Sequence, residues 1–493
     1  MRQFLVLFAS AVAAVAVAVA VAGCGSSGGS SGTGGSIPET ANFAPATSSY
    51  FVSVNTDVTS EQWHKASVLL NRFPSGDTLI KSFTDELGKS GLSWEHDLKP
   101  ALGPEVGIAG LGVNENFVLF TKSPQPEKLE TMLREPPDPA VTRQVDGWVV
   151  AAEKEATLNL FVQAHGSGTL GSTSAFEDAV AKVPTDGLAL AYVPGKTIDT
   201  GAEKAAQGQP LSSGEITKAF GTVQSLAASA SAEDNGVSFD VAGSVTDAPA
   251  AKSFEPTLDQ TLPAKPLVFV DVTGLGTAIR KALDAYQQED QSFAQQRSQI
   301  EKALGLTLND DVFPVIDDET AVGVYGTSSG ASLPVTIDVV AKTDEAKATR
   351  LMERIGALLE LGDSGKASPV DVNGLHATEL TFTGEDISVL WAVTDGKLLL
   401  STSRAGLAAL NGSSDKLADD TAYTDALGAG DVPSKVTLLV YSDLQAAVPF
   451  FVEVGGSSVD AETKANLKPL RSVVASATQD GDSYTLSGFV GIG

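Results

Sequence analysis

The chain has 493 residues, too many for one ordinary core, so two or more domains are expected. Its 61 acidic side chains outnumber 33 basic ones, a net charge of −28 that excludes a phosphate-binding surface of the kind nucleic acid requires. One cysteine excludes an internal disulfide framework and any thiolate metal cluster, and the four histidines, His64, His96, His165 and His376, stand far apart with none at ligand spacing.

At the amino terminus, Met1-Arg2-Gln3 is a short positive segment and residues 4–22 are apolar apart from Ser10, the layout of a secretory signal. The run also reaches the length of a membrane-spanning helix, so an uncleaved anchor is the competing reading. Val21-Ala22-Gly23-Cys24 then resembles the bacterial lipobox, an aliphatic and two small residues before a cysteine. That resemblance implies cleavage after residue 23, a diacylglycerol on Cys24, and a protein held on the outer face of the cell membrane. One acyl chain anchors only marginally, so stable attachment needs two or more. Gly25–Ser36 contains only Gly, Ser and one Thr, so residues 24–37 are expected to be a tether.

The first folded unit is expected over 38–250. Tyr50–Asn55 reads as a strand, and 59–73 as a helix opened by a Thr59-x-x-Gln62 capping box. A second helix is expected over 77–87, strands near 105–111 and 116–122, and a helix near 126–135. A hairpin turns at Asp146-Gly147. Helix is expected around 174–182, a strand at 187–193, and a polar helical stretch near 212–230. A hairpin at Asp234-Asn235-Gly236 closes the unit.

The same order returns over 251–493. Phe51-Val52-Ser53-Val54 aligns with Phe269-Val270-Asp271-Val272, and Asp97-Leu98-Lys99-Pro100 with Asp311-Val312-Phe313-Pro314. Lys122 aligns with Lys342, Asp146-Gly147 with Asp395-Gly396, and Tyr192 with Tyr441. Phe239, Val241, Gly243 and Val245 align with Tyr484, Leu486, Gly488 and Val490. About thirty extra residues precede the second Asp-Gly turn, read as added strands at 375–382 and 386–393. The expected fold is therefore α+β: a tandem duplication of a unit with a mainly antiparallel sheet and packed helices. Leu188–Tyr192 is nearly continuously apolar, so both its faces should be covered. The closing strands alternate, so one face should be wetter. Thr277–Leu304 reads as one long helix with a narrow stripe of Ile279, Leu283, Tyr286, Phe293, Ile300 and Leu304, for packing on its own sheet or for contact with a partner or the other copy.

The patterns that could carry chemistry are incomplete. Gly326-Thr327-Ser328-Ser329-Gly330 matches Gly-x-Ser-x-Gly, but a nucleophile elbow needs a following helix and a strand is expected there. Ser413-Ser414-Asp415-Lys416 fits Ser-x-x-Lys without the motifs that accompany it in serine acyl enzymes. Gly274-Leu275-Gly276 lacks the third glycine of a dinucleotide loop. Asn309-Asp310-Asp311, Asp317-Asp318-Glu319 and Asp419-Asp420 are acidic clusters without EF-hand spacing, better explained as caps and turns. His96, beside Trp94, Glu95 and Asp97, is the best single polar candidate, and its counterpart is Asp310.

Pro45 with Tyr50–Asn55, the segment Asp97–Gly107 and the Asp-Gly hairpins resemble a family of bacterial, chiefly actinobacterial, secreted or lipid-anchored proteins, the domain-of-unknown-function family 3352. The resemblance implies an extracytoplasmic location and carries over no catalytic residue. Cys24 is thus the only site residue expected, for lipidation; no catalytic residue, cofactor or metal is expected. The first functional expectation is a non-enzymatic binding or structural protein of the cell envelope, whose partners are the membrane and an envelope protein or apolar ligand. A carrier enclosing an apolar ligand or lipid between the copies is the alternative, and a carboxylate-dependent hydrolase the third.

Overall fold

A computed structural model describes residues 36–493 except 90, 113–115, 136–138, 199–220, 248–250, 290, 328–333, 362–364, 385–386 and 455–458. The signal segment, Cys24 and all but the end of the tether lie outside the described residues. No helix among the described residues is long and apolar enough to cross a membrane.

The first half carries β1 (Tyr50–Asn55), β2 (Glu105–Gly110), β3 (Phe117–Thr121), β4 (Val141–Val145), β5 (Trp148–Ala152), β6 (Ala189–Pro194), β7 (Thr222–Glu233) and β8 (Gly236–Thr246). Its helices are α1 (Glu61–Leu70), α2 (Gly76–Lys89), α3 (Pro126–Arg134), α4 (Glu155–His165) and α5 (Ser174–Val180). The second half carries β9 (Val268–Val272), β10 (Thr320–Gly326), β11 (Val335–Lys342), β12 (Gly365–Val372), β13 (Leu375–Phe382), β14 (Ser388–Thr394), β15 (Lys397–Ser401), β16 (Leu438–Asp443), β17 (Leu470–Asp480) and β18 (Ser483–Ile492). Its helices are α6 (Leu275–Glu289), α7 (Gln291–Leu304), α8 (Glu345–Leu361), α9 (Arg404–Ala408), α10 (Thr421–Ala429), α11 (Leu444–Val454) and α12 (Ala461–Leu467).

All named strand pairs are antiparallel, which with the packed helices makes the fold α+β. The first sheet has the order β4-β5-β3-β2-β1-β6-β7-β8 and the second β12-β13-β14-β15-β11-β10-β9-β16-β17-β18. From β8 and β18 inward the two orders run in step, until β12 and β13 extend the second sheet. The strands of the second sheet with no match in the first are therefore β12 and β13. Of the expected pair, 375–382 is β13, whereas β14 takes the place beside β15 that β4 takes beside β5.

The strand expectation at 50–55 holds residue for residue. Both Asp-Gly turns close two-residue loops with positive φ at each position, Asp146 (50°) and Gly147 (82°), Asp395 (51°) and Gly396 (69°), the primed geometry that follows the twist of the strands. The capping box is different. Ser60, not Thr59, caps α1 by accepting from Trp63 N–H, and Gln62 instead accepts from Ala232 N–H at 2.7 Å, tying α1 to β7. The stretch expected as helix near 212–230 falls partly outside the described residues; from Thr222 onward it is strand β7. Its Ala and Ser residues favour helix locally, but their small side chains suit a strand covered by α5, and tertiary packing decides.

The long helix of 277–304 is two helices folded against each other. Arg297 on α7 reaches Asp284 on α6 at 3.2 Å, although thirteen residues along one straight helix would separate them by about 20 Å. Phe293 and Tyr286 meet edge to face across this hairpin, 5.0 Å between centroids. Two members of the apolar stripe are thus used within the hairpin, while Ile279 is exposed.

The first core gathers Phe43, Phe51, Phe120, Trp148, Phe161 and Phe176 on one face of the first sheet. The second gathers Phe269, Leu399, Tyr423, Tyr441 and Phe489. A third cluster with Leu351, Leu380 and Trp391 lies under α8. β6 does not bury both faces: Leu190 and Tyr192 are buried while Ala189 and Ala191 are half-buried. In β8 the buried side is Asp240 and Ala242, and the larger Phe239, Val241 and Val245 are half-buried, the reverse of what size alone suggests.

The halves meet along β8 and β18. Val245 N–H donates to Asp482 O and Ile492 N–H to Asn235 O, each at 2.8 Å, so the strands run antiparallel side by side. Between them the Ser487 hydroxyl donates to Asp240 Oδ1 at 2.5 Å, and a Cβ on Gly488 would lie 2.1 Å from the Phe239 ring.

Candidate functional site

Among the described residues, a group of four ionisable side chains, two of them buried, lies where the segment before β9 crosses the second sheet. Asp271 sits on β9, Glu319 just before β10, Lys342 at the end of β11, and Asp259 in the crossing strap itself. The lone carboxyl in Val268-Phe269-Val270-Asp271-Val272 follows strand alternation: Phe269 and Asp271 are two apart, share the core face and are both fully buried.

Glu319 holds the strap. Its Oε1 accepts from Thr257 N–H at 2.6 Å and Leu258 N–H at 2.9 Å, and its Oε2 accepts from the Thr257 hydroxyl at 2.9 Å. Lys342 Nζ forms an ion pair with Glu319 Oε2. No donor meets either oxygen of Asp271, and its carboxyl shares a side-chain hydrogen bond with Glu319. Burial, with the Glu319 carboxylate adding to it, pushes the Asp271 carboxyl up to about 9, so it is protonated at neutral pH. Burial also raises Asp259, whose Oδ2 accepts from the Tyr423 hydroxyl at 3.3 Å. Burial likewise raises Tyr423 and Tyr441.

The first half has the same arrangement in milder form. Thr40 N–H and hydroxyl donate to Glu105 Oε2 at 3.3 and 3.2 Å, Lys122 pairs with Glu39, and Ser53 takes the place of Asp271, its hydroxyl 2.7 Å from that of Thr40. Here the strap is also held by aromatic packing: Phe43 stacks on Trp148 with 4.7 Å between centroids.

Beside Lys342 lies a cleft of about 360 Å³ lined by Asp318, Lys342, Thr343, Asp344, Asp395 and Lys397, among others. Two of its carboxylates serve local structure: Asp318 pairs with Lys252 at 3.4 Å and Asp344 Oδ1 accepts from Lys347 N–H at 2.9 Å. A further buried acid, Asp338 on β11, is pushed up to about 6 by burial. Asp271 is fully buried, so no reacting group could approach its proton in this structure.

The other candidates resolve into structural roles. His96 is exposed, and its backbone N–H is held by Ser93 Oγ at 3.4 Å while Asp97 Oδ2 reaches back to Ser93 N–H at 2.9 Å. Thr307, Asp310 and Asp311 repeat that turn, with Asp311 Oδ2 accepting from Thr307 N–H at 2.7 Å. Asp317 accepts from Thr277 N–H at the start of α6, and Asp420 from Ala422 N–H at the start of α10. Lys416 donates to Thr261 O at 3.0 Å and Ala409 O at 2.8 Å. Gly276 is needed because a Cβ there would meet Phe313 O at 2.1 Å. Residues 328–333 lie outside the described residues, and the flanking β10 and β11 pair antiparallel, so the Gly-x-Ser-x-Gly pattern spans a strand-to-strand connection.

Sequence reasoning aligned Asp271 with Ser53 but did not single it out; the available signal was a carboxylate alone in a five-residue apolar strand. Among the described residues no group of three or more His, Cys, Asp or Glu side chains is placed to hold a metal ion.

A family model described as "Protein of unknown function (DUF3352)" matches residues 118–490. The chain belongs to the DUF3352 family. No curated protein matches this DUF3352 chain. Two solved structures are similar over part of it. "Structure of crystal form III of TP0453" has a TM-score of 0.25 and 9% identity over 44% of this chain and 82% of that one. "Structure of crystal form I of TP0453" has a TM-score of 0.25 and 8% identity over 45% and 89%. A TM-score of 0.25 is too low to speak of a shared fold.

Proposed function

We propose that this DUF3352 chain is a lipid-anchored extracytoplasmic protein with a non-enzymatic binding or structural role in the cell envelope. The supporting observation is the fate of its charged interior: Glu319 fastens the strap and pairs with Lys342, and Asp271 is fully buried. Polar groups spent on packing and hidden from solvent suit a scaffold that presents surfaces.

We read the two halves as a tandem duplication. The strand orders run in step, the Ser93–Asp97 turn recurs as Thr307–Asp311, and Glu105 and Glu319 fasten equivalent straps. Anchoring rests on Val21-Ala22-Gly23-Cys24, with lipid on Cys24 as the link to the membrane. Cys24→Ala should move the protein from the membrane fraction to the soluble fraction and abolish incorporation of labelled fatty acid. If the variant stays membrane-bound, residues 4–22 are an uncleaved helix and the lipoprotein reading fails. Crosslinking in living cells would then name an envelope partner.

The carrier reading is weaker on one specific point. Along the meeting line of the halves Phe239 lies over Gly488 and Asp240 meets Ser487, so at these positions side chains of the two halves are in direct contact. Native mass spectrometry of membrane-extracted protein checks it: co-purifying lipid would revive the carrier.

A further inference from the structure

We infer that the exposed end of α11 rests on the lipid bilayer that holds the tether, an inference that stands on the Cys24 anchor proposed above. α11 reads Leu-Gln-Ala-Ala-Val-Pro-Phe-Phe-Val-Glu-Val and has no basic residue. Phe451 and Val454, three residues apart on one side of it, are each 58% exposed, the highest values among the large hydrophobic residues exposed in the structure. The neighbouring Phe450 is turned inward instead, close enough to the end of β10 that a Cβ on Gly326 would lie 2.9 Å from its ring. A side chain as large as Phe451 left in water is a docking feature when something apolar lies within reach.

Register relates the tether exit to α11. The chain enters the fold beside Glu105, which pairs with Asn55 at the end of β1. From there Val54 pairs with Ala189, Ala189 with Ala230 and Ala230 with Phe239, next to the turn at Asn235. Asn235 O receives Ile492 N–H; Ile492 pairs with Leu470, and Ser472 with Asp443, the residue before α11. The tether exit and the start of α11 thus share one end of the strands. Direct contacts agree: Ser75, between α1 and α2, meets Asn466 and Glu462 of α12 at 2.9 and 2.8 Å. Thirteen Gly/Ser-rich residues from Cys24 to Ser36 span about 20 Å on average.

Charge permits the approach. In a chain of net charge −28, residues 444–471 carry three carboxylates (Glu453, Asp460, Glu462) and three cations (Lys464, Lys468, Arg471), and all three cations are exposed. This neutral island can lie against anionic headgroups that the rest of the acidic surface would avoid. The contact is that of an interfacial helix end, with aromatic and aliphatic tips in the headgroup–acyl boundary.

The test uses Phe451→Cys in the full chain, carrying a nitroxide, in native membranes. With Cys24 lipidated, position 451 is the only free thiol, so one spin per chain is expected. Lys347→Cys, exposed on α8 at the other end of β11, serves as reference. Docking predicts that oxygen relaxes the spin at 451 more strongly than an aqueous nickel chelate does, with the reverse at 347. If 451 is as nickel-accessible as 347 while the protein remains membrane-held, docking is wrong and the anchor stands. Protection of 451 from both reagents would mean a protein partner and also overturn it. Two spins per chain would show an unmodified Cys24 and sink the anchor; the same accessibility ratio in a Cys24→Ser background then decides docking by itself.

Discussion

Ser487 donates its hydroxyl to Asp240 Oδ1 across the line where the halves meet, and both side chains are buried. The contact joins residues 247 positions apart and lies between two backbone hydrogen bonds at the ends of the same pair of strands. Ser487→Ala removes a donor from a buried carboxylate. The expected loss is about 1–3 kcal/mol of unfolding free energy, read as a lower urea midpoint. An unchanged midpoint would mean the junction does not depend on this bond.

Gly488 and Phe239 test the same junction by volume. A methyl at 488 would meet the Phe239 ring at 2.1 Å, so Gly488→Ala should cost about 1–3 kcal/mol from overpacking. Adding Phe239→Leu should recover part of that loss. If the double variant is no more stable than Gly488→Ala alone, the clash lies elsewhere.

Asp271 should make stability depend on pH. Its carboxyl is held up to about 9 in the folded chain against 3.8 for the ordinary group, so between these values the unfolded state has lost a proton that the folded state keeps. Stability from this residue is therefore fully present below about pH 4 and declines as pH rises toward about 9. Asp271→Ser, the residue its counterpart Ser53 already uses, should flatten that decline and raise stability at pH 8 by more than about 1 kcal/mol. Superimposable profiles of thermal midpoint against pH for the two proteins would refute a protonated Asp271.

Arg297 binds Asp284 and Glu301 at 3.2 Å and Asn309 at 3.0 Å, joining α6, α7 and the turn that follows. A lysine cannot span these planar positions with one ammonium group. Arg297→Lys should therefore speed amide hydrogen exchange across 275–304 while leaving exchange in β16–β18 unchanged. Uniform acceleration would instead indicate global destabilisation.

Local patterns were legible where a single element decides its own conformation. Tyr50–Asn55 needs only alternation and the Asp146-Gly147 turn only residues tolerant of positive φ, while the Asp234–Gly236 hairpin turns with no positive φ at all. Failures occurred where distant parts decide. Thr222–Glu233 is rich in Ala and Ser, and it is the pairing with β6 and β8 and the packing of α5 that make it a strand. Thr277–Leu304 carries no proline to announce its fold-back. The repeated order anticipated strand orders that run in step, but not that β12 and β13 are the strands of the second sheet without a match in the first. Asp271 was visible only as a mismatch with Ser53. Its partners Asp259, Glu319 and Lys342 come from the strap, β10 and β11, and no spacing in the sequence brings those together. Cys24 is the opposite case, a site proposed from sequence alone, because residues 1–35 lie outside the described ones.

β8 and β18 have a consequence for how the chain is made. A ribosome completes β8 long before it reaches Ser483, so for that interval the first sheet carries an open edge with unpaired amides and carbonyls. An open edge of that length invites pairing with another nascent chain. The order of synthesis thus sets a vulnerable window during biogenesis, which closes only when the final strand arrives to cover its counterpart.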